Sequence, residues 1–144
     1  MALCEYLSTI KDGCTRQIPS YVLSELLELS IVMDTIHLLI ANEAYTISKH
    51  THFHSDQGIH YTSTKFEKLI ESKRLIQSMS RKGNYWDNAP QESFFGHMKD
   101  ELNLYQCETF EQLKSEINKY IKYYNNERYQ WNLMKMAPNE YVNI

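Results

Sequence analysis

Four glycines and three prolines are all that punctuate these 144 residues. A chain with so few points for sharp turns has no room for long irregular loops, so most of it must lie in packed helices and strands. Hydrophobic residues make up 42% and charged residues 23%, a balance that buries a core and is too apolar for intrinsic disorder. A chain of this length forms one ordinary domain. No apolar run approaches a membrane span, and the start, MALCEYLSTIKDG, lacks the basic-then-apolar order of a secretory leader. Cys4, Cys14 and Cys107 are an odd set at no metal-ligand spacing, which suits free thiols in a reducing cytoplasm.

Periodicity orders the elements. Leu3 to Ile10 is rich in β-formers, Lys11 to Cys14 reads as a turn, and Gln17 to Ser24 as a second strand, so the chain opens on a hairpin. Pro19 confines that second strand to a sheet edge, since proline lacks the N–H a central strand needs. Leu29, Val32, Met33, Ile36, Leu39 and Ile40 fall on one face of a helix within 28–43. His50 to Ser55 reads as a strand running into the loop Asp56-Gln57-Gly58. Thr64-Lys-Phe-Glu67 is a capping box for a helix that buries Phe66, Leu69 and Ile70. Leu75, Ile76 and Met79 make a short strand, and 81–87 a loop. Asn88 caps the next helix, with Pro90 in its first turn and Phe95, Met98 and Leu102 facing inward. Thr109-Phe-Glu-Gln112 caps a last long helix whose stripe is Phe110, Leu113, Ile117, Tyr120, Ile121 and Tyr124. Met136 to Tyr141 starts a final turn. The order β-β-α-β-α-β-α-α predicts an α/β domain.

The net charge of −3 conceals an asymmetry. Residues 1–72 carry 5 Lys/Arg against 9 Asp/Glu, and 73–144 carry 10 against 9. Lys73, Arg74, Arg81 and Lys82 form a basic island with no acid before Asp87, and Tyr85 and Trp86 follow at once. Such a basic and aromatic patch suits DNA contact, and equally a solvated loop with two packed aromatics.

Two clusters offer chemistry. In a strand, His52, His54 and Asp56 share one face and present three candidate zinc ligands. This resembles the H-x-H-x-D-H box of metallo-β-lactamase-type hydrolases, but Gln57 replaces the last histidine and the chain is too short for that fold. The other cluster pairs Asp56 with Glu92, 36 positions later and early in a helix. Two hard carboxylates, one at a strand end and one on a helix, are what Mg²⁺ takes from a protein beside substrate phosphate. Lys99, seven residues beyond Glu92 on the same helix face and about 10 Å along the axis, suits a DNA phosphate.

Five blocks then occur in order: His54-Ser-Asp-Gln-Gly-Ile-His-Tyr-Thr-Ser63; Ser78-Met-Ser-Arg-Lys-Gly83; Trp86-Asp-Asn-Ala-Pro-Gln-Glu-Ser-Phe-Phe95; Met98-Lys-Asp-Glu101; and Tyr124-Asn-Asn-Glu-Arg128 with Ala137-Pro-Asn-Glu-Tyr141. Over about 50–141 this closely resembles the integrase-type (rve) catalytic domain of bacterial insertion-sequence transposases, the DDE group related to retroviral integrases. The resemblance implies a ribonuclease-H-like α/β fold, a mixed sheet with flanking helices. It implies that Asp56 and Glu92 are the second and third acids of a catalytic triad. They would bind Mg²⁺ or Mn²⁺, two ions in the intact family, for cleavage and strand transfer at DNA phosphodiesters. Gly58 would turn the backbone after the acid. Arg81, Lys82, Tyr85, Trp86 and Lys99 become candidates for DNA contact. Transposon-end and target DNA, a second copy or a full-length transposase are the implied partners, with no membrane, in a bacterial cytoplasm or on the nucleoid.

The family's first acid lies in a central first strand that should precede the opening hairpin. This chain offers only Asp12, in a turn, and Asp34, on a helix, and it lacks the family's N-terminal helical DNA-recognition region. The expectation is therefore a truncated form: residues 1–144 as a partial catalytic domain, with 1–24 a remnant hairpin and 28–43 a helix. In the family's strand order 3-2-1-4-5, losing strand one parts the hairpin from the Asp56 strand and leaves an unpaired edge. Such a domain is expected to be marginal or aggregation-prone, and inactive by itself, unless another chain supplies the strand. The alternative function is a non-catalytic DNA-binding or regulatory fragment that assembles with full-length transposase. A zinc hydrolase using His52, His54 and Asp56 is the remote one.

Overall fold

The computed structural model describes residues 5–48, 50–55, 58–79 and 89–143. Strand β1 (Tyr6–Ile10) pairs antiparallel with β2 (Ser20–Ser24), with Leu7 opposite Leu23 and Thr9 opposite Tyr21. Helix α1 (Leu29–Ala41) follows, then β3 (His52–Ser55), α2 (Thr64–Ser72) and β4 (Ile76–Met79). β3 and β4 run parallel, His52 beside Ile76 and His54 beside Ser78, joined through α2. Helices α3 (Ala89–Glu101), α4 (Phe110–Asn126) and the short α5 (Pro138–Val142) complete the chain, with 3-10 turns at Leu104–Gln106 and Trp131–Leu133. The expected α/β order is present. Among the described residues the strands form two separate two-stranded sheets, the hairpin and the parallel pair, rather than one continuous sheet.

The alternation of the hairpin explains its two coverings. Tyr6, Ile10 and Val22 pack with Ile31, Val32 and Ile36 of α1 and Phe66, Leu69 and Ile70 of α2, and Phe53 of β3 joins the same core. Leu7, Tyr21 and Leu23 point to the opposite face. There they meet a second core of Phe94 and Met98 from α3 and Leu113, Ile117, Tyr120, Ile121 and Tyr124 from α4. The helices thus cover both faces of the hairpin, and the first core bridges the two sheets through side chains instead of a shared ladder.

Several expected boundaries shift for local reasons. The α2 cap is Ser63, not Thr64: Ser63 is extended and its Oγ accepts from Phe66 N–H at 3.2 Å, which places Thr64 inside the first turn. Thr109 caps α4 as expected, accepting from Gln112 N–H. On α1 the buried residues are Ile31, Val32, Thr35, Ile36 and Leu39, while Ile40 is exposed. Thr35 is polar but satisfied: its hydroxyl lies 2.7 Å from the Ile31 carbonyl and 2.8 Å from Ser8 Oγ. On α3 the inward aromatic is Phe94, fully buried, whereas Phe95 is half-buried beside it. The second strand starts at Ser20 instead of Gln17, because 17–19 bond elsewhere. Gln17 Nε2 donates to Asn139 Oδ1, Ile18 exchanges main-chain bonds with the Asn125 amide, and the Pro19 carbonyl accepts from Asn42 Nδ2. Leu75 is buried just before β4. Residues 3 and 4 of the expected first strand, the 81–87 loop and the Asn88 cap lie outside the described residues.

Candidate active site

Helix α3 carries the acid that can be followed in space. Gln91 and Glu92 lie in its first turn. Thr9 Oγ1 of β1 donates to Gln91 Oε1 at 2.9 Å, and Gln91 Nε2 donates to the Thr9 carbonyl at 3.2 Å. This two-bond ring fastens the start of α3 to the hairpin. Behind it Phe94 is fully buried, edge-on to Tyr124 with ring centroids 5.0 Å apart, and Met98 is buried one turn further. The backbone at Glu92 is therefore held from both sides of the residue. Its side chain is exposed and has no hydrogen-bond or ion-pair partner among the described residues. An acid in the first turn also suits the positive end of the helix dipole. Lys99 is exposed in the last turn of the same helix.

The other acid is approached through β3. Phe53 and Ser55 turn inward, Ser55 being buried, and His52 and His54 are exposed on the other face. His54 Nδ1 lies 2.8 Å from Ser78 Oγ, its neighbour across the parallel ladder. Asp56 follows β3 directly and lies outside the described residues, as do Gln57, Arg81, Lys82, Tyr85 and Trp86. The chain resumes at Gly58, whose carbonyl accepts from Tyr61 and Thr62 N–H in the turn leading to α2. Among the described residues no three His, Cys, Asp or Glu side chains come together as metal ligands.

Of the remaining aspartates near the hairpin, Asp12 has structural partners. Asp12 Oδ1 accepts from the N–H groups of Cys14 and Thr15, and its Oδ2 accepts from Tyr45 O–H. Burial pushes the Asp12 carboxyl up, but these hydrogen bonds outweigh it and hold the group below the usual carboxylate range. Asp34 is exposed on the outside of α1.

At the far end of α3 a different constellation appears, which spacing alone did not single out. Glu101 accepts from Arg128 Nε at 2.8 and 3.0 Å and from Tyr120 O–H at 2.7 Å. Burial raises the Glu101 carboxyl, and the Tyr120 hydroxyl and Arg128 guanidinium more than reverse it, so it too stays below the usual range. Glu101 and Arg128 stand in motif blocks noted above, yet only the packing of α3 against α4 brings them together with Tyr120. No sequence signal marks the Gln91–Thr9 tie either, because its partners are 82 positions apart.

Comparison with known proteins places this geometry. The integrase core domain profile matches residues 3–85, and a second profile of the same description matches 92–144. The chain is 36% identical over 141 residues to the putative transposase InsK of insertion sequence element IS150 from Escherichia coli, covering 96% of this chain and 48% of that protein. It is 37% identical over 139 residues to an uncharacterized transposase-like protein of Haemophilus influenzae, covering 94% and 62%. The chain thus spans about half to three-fifths of these curated relatives. Among solved structures, the catalytic core domain of BIV integrase superposes with a TM-score of 0.63 at 20% identity, covering 96% of this chain and 93% of that one. The catalytic core domain of HTLV-2 integrase in complex with magnesium superposes with a TM-score of 0.69 at 16% identity, covering 94% and 91%. These two likenesses establish the fold, a ribonuclease-H-like α/β core. With its hairpin, parallel pair and acid-bearing α3 matched over nearly its whole length, the chain belongs to the integrase core family.

Proposed function

We propose that this chain serves DNA transposition, contributing Asp56 and Glu92 as two of the three carboxylates of a divalent-metal centre that cleaves and joins DNA phosphodiesters. One observation carries the reading: the first turn of α3 is fixed to β1 through Gln91 while the adjacent Glu92 carboxylate is exposed and unpaired among the described residues. A carboxylate held on a rigid backbone but given no internal partner suits an external ligand. Asp56, one residue beyond β3, is the second donor in this reading. Two carboxylates are hard oxygen donors and match Mg²⁺ or Mn²⁺ in chemistry. When bound, such an ion would withdraw charge from a scissile phosphate and lower the pKa of an attacking water.

The protein's own part is positioning. α3 would present Glu92 toward the metal and Lys99 toward a phosphate further along the same strand, with Arg81, Lys82, Tyr85 and Trp86 as further DNA contacts. The third acid has no counterpart at Asp12 or Asp34, one being bonded in its turn and the other facing outward on α1. The separation of β1–β2 from β3–β4 supports a strand bearing that acid, supplied from another segment or chain, as the element that completes the centre. A full-length transposase is one source of such a strand. No described helix is long and apolar enough to cross a membrane.

Binding of Mn²⁺ measured by electron paramagnetic resonance tests the reading. The expected result is a bound ion that is lost in both Asp56→Asn and Glu92→Gln. Mn²⁺ binding unchanged in both variants would overturn the metal centre. DNA binding that then persisted would favour the non-catalytic, regulatory reading.

A further inference from the structure

The inward stripe of α3 begins on a polar residue. Gln91, Phe94, Phe95, Met98 and Leu102 recur at three- and four-residue spacing, the pattern of a helix face that packs on a core. The first position of that stripe holds a carboxamide. The hairpin mirrors it. Leu7 and Thr9 alternate onto the β1 face that meets α3, and Thr9, opposite Tyr21, is polar where a core-facing strand position favours an apolar residue. These two polar residues satisfy each other. Gln91 Oε1 accepts from Thr9 Oγ1 at 2.9 Å, and Gln91 Nε2 donates to the Thr9 carbonyl at 3.2 Å. One residue engages both ends of the carboxamide and so sets its plane in one orientation. Turned over, the amide oxygen would face the Thr9 carbonyl oxygen.

Apolar burial alone does not supply this precision. Hydrophobic contact is non-directional, so Phe94 and Met98 fix which face of α3 is buried but tolerate small slides and rotations. Two hydrogen bonds of defined geometry tolerate them much less, and breaking either leaves a half-buried polar group unsatisfied. Glu92 is the next residue, about 100° round the helix and about 1.5 Å along it. Any shift of the first turn therefore carries the Glu92 backbone with it. Mg²⁺ demands near-ideal octahedral geometry, so a ligand's placement bears directly on affinity.

We infer that Gln91 and Thr9 are positioning residues of the metal centre: their bond pair sets the register of α3 on β1 and, through it, the affinity of the Glu92 site for a divalent cation. Neither acts as a ligand, since each is engaged with the other. The inference rests on the reading of Glu92 as a metal ligand. It adds a hairpin residue, Thr9, that lies outside every motif block and 83 positions before Glu92.

The test is Mn²⁺ titration of the full chain, followed by electron paramagnetic resonance well below the melting temperature of each variant. Thr9→Val keeps the shape of the side chain and removes the hydroxyl donor. It is expected to weaken Mn²⁺ binding about tenfold without changing the number of ions bound, the low end of what hydrogen-bonded supports of metal ligands contribute. Thr9→Ser returns the donor and is expected to restore the affinity. Gln91→Met removes both bonds and is expected to weaken binding at least as much. Adding Thr9→Val to Gln91→Met is then expected to change nothing further, because the partner is already gone. Met98→Ala, a buried site away from the tie, is expected to lower the melting temperature and keep the wild-type affinity. Circular dichroism identifies any variant that fails to fold, and if Thr9→Val does, Gln91→Met decides. If Glu92→Gln abolishes binding while Thr9→Val and Gln91→Met bind as wild type does, the positioning role is refuted and the metal centre stands. Affinity that falls equally in Thr9→Val and Thr9→Ser, or equally in Thr9→Val and Met98→Ala, also refutes it. If the wild-type chain binds no Mn²⁺, both readings fall.

Discussion

The two ends of α3 use the same residue type in opposite ways. Glu101, in the last turn, is clasped by Arg128 and Tyr120, and its side chain is one-third exposed against 17% for Arg128. Glu92, in the first turn, is exposed and unpaired among the described residues, although its neighbours Gln91 and Phe94 are tied down. A carboxylate near a helix C-terminus opposes the dipole and needs compensating donors, which Arg128 and Tyr120 provide. At the N-terminus the backbone already favours the charge, so the side chain remains available. On the proposed reading, one acid belongs to the fold and the other to a ligand.

The largest effect that sharpens this contrast comes from the residue between the two acids. Phe94→Ala empties a fully buried site against Tyr120 and Tyr124 and is expected to cost about 4 kcal/mol in urea unfolding. Such a loss would loosen both ends of the helix together. Glu101→Gln removes charge-assisted bonds to Arg128 at a partly buried position and is expected to cost about 2 kcal/mol. A change below about 0.5 kcal/mol would mean that the pair behaves as an exposed ion pair, and the contrast would lose its structural half.

Acid titration gives a smaller, graded effect. The Glu101 and Asp12 carboxyls are both held below their ordinary values of 4.5 and 3.8. The unfolded chain therefore binds more protons than the native one in the range just below those values, and stability falls as pH drops through it. Their stabilising contribution is complete above the ordinary carboxylate range. Melting temperatures measured from neutral to acid pH are expected to fall less steeply in Glu101→Gln than in wild type. An identical slope would show that Glu101 has no part in the acid response.

The legible parts of the fold were those written in local patterns. Thr109 and the α4 stripe from Leu113 to Tyr124 appear as expected because capping and 3.6-residue periodicity act within one helix, while Phe110 in the first turn is only half-buried. Asp56 and Glu92 stood out through residues adjacent in sequence, not through any measured geometry. What escaped depended on distant partners. Phe94 and Phe95 are neighbours on α3, and the packing against Tyr120 and Tyr124 of α4 takes Phe94 inside. Residues 17–19 have strand composition, but Asn125, Asn139 and Asn42 claim their polar groups. Thr35 is polar in sequence and buried in fact because Ser8 and the Ile31 carbonyl accommodate its hydroxyl. The Gln91 tie, which makes Glu92 a credible ligand, belongs to the same class.

The most direct test of the central claim is the thermal midpoint of wild type, Glu92→Gln and Glu101→Gln, each with and without saturating Mn²⁺. An ion that binds only the folded chain raises the midpoint. The predicted result is a crossed pattern: Glu92→Gln keeps the wild-type midpoint without metal and loses the Mn²⁺-induced rise, whereas Glu101→Gln melts lower and keeps the rise. A full Mn²⁺-induced rise in Glu92→Gln, or a lowered metal-free midpoint equal to that of Glu101→Gln, would contradict the assignment of Glu92 to a ligand and Glu101 to the fold.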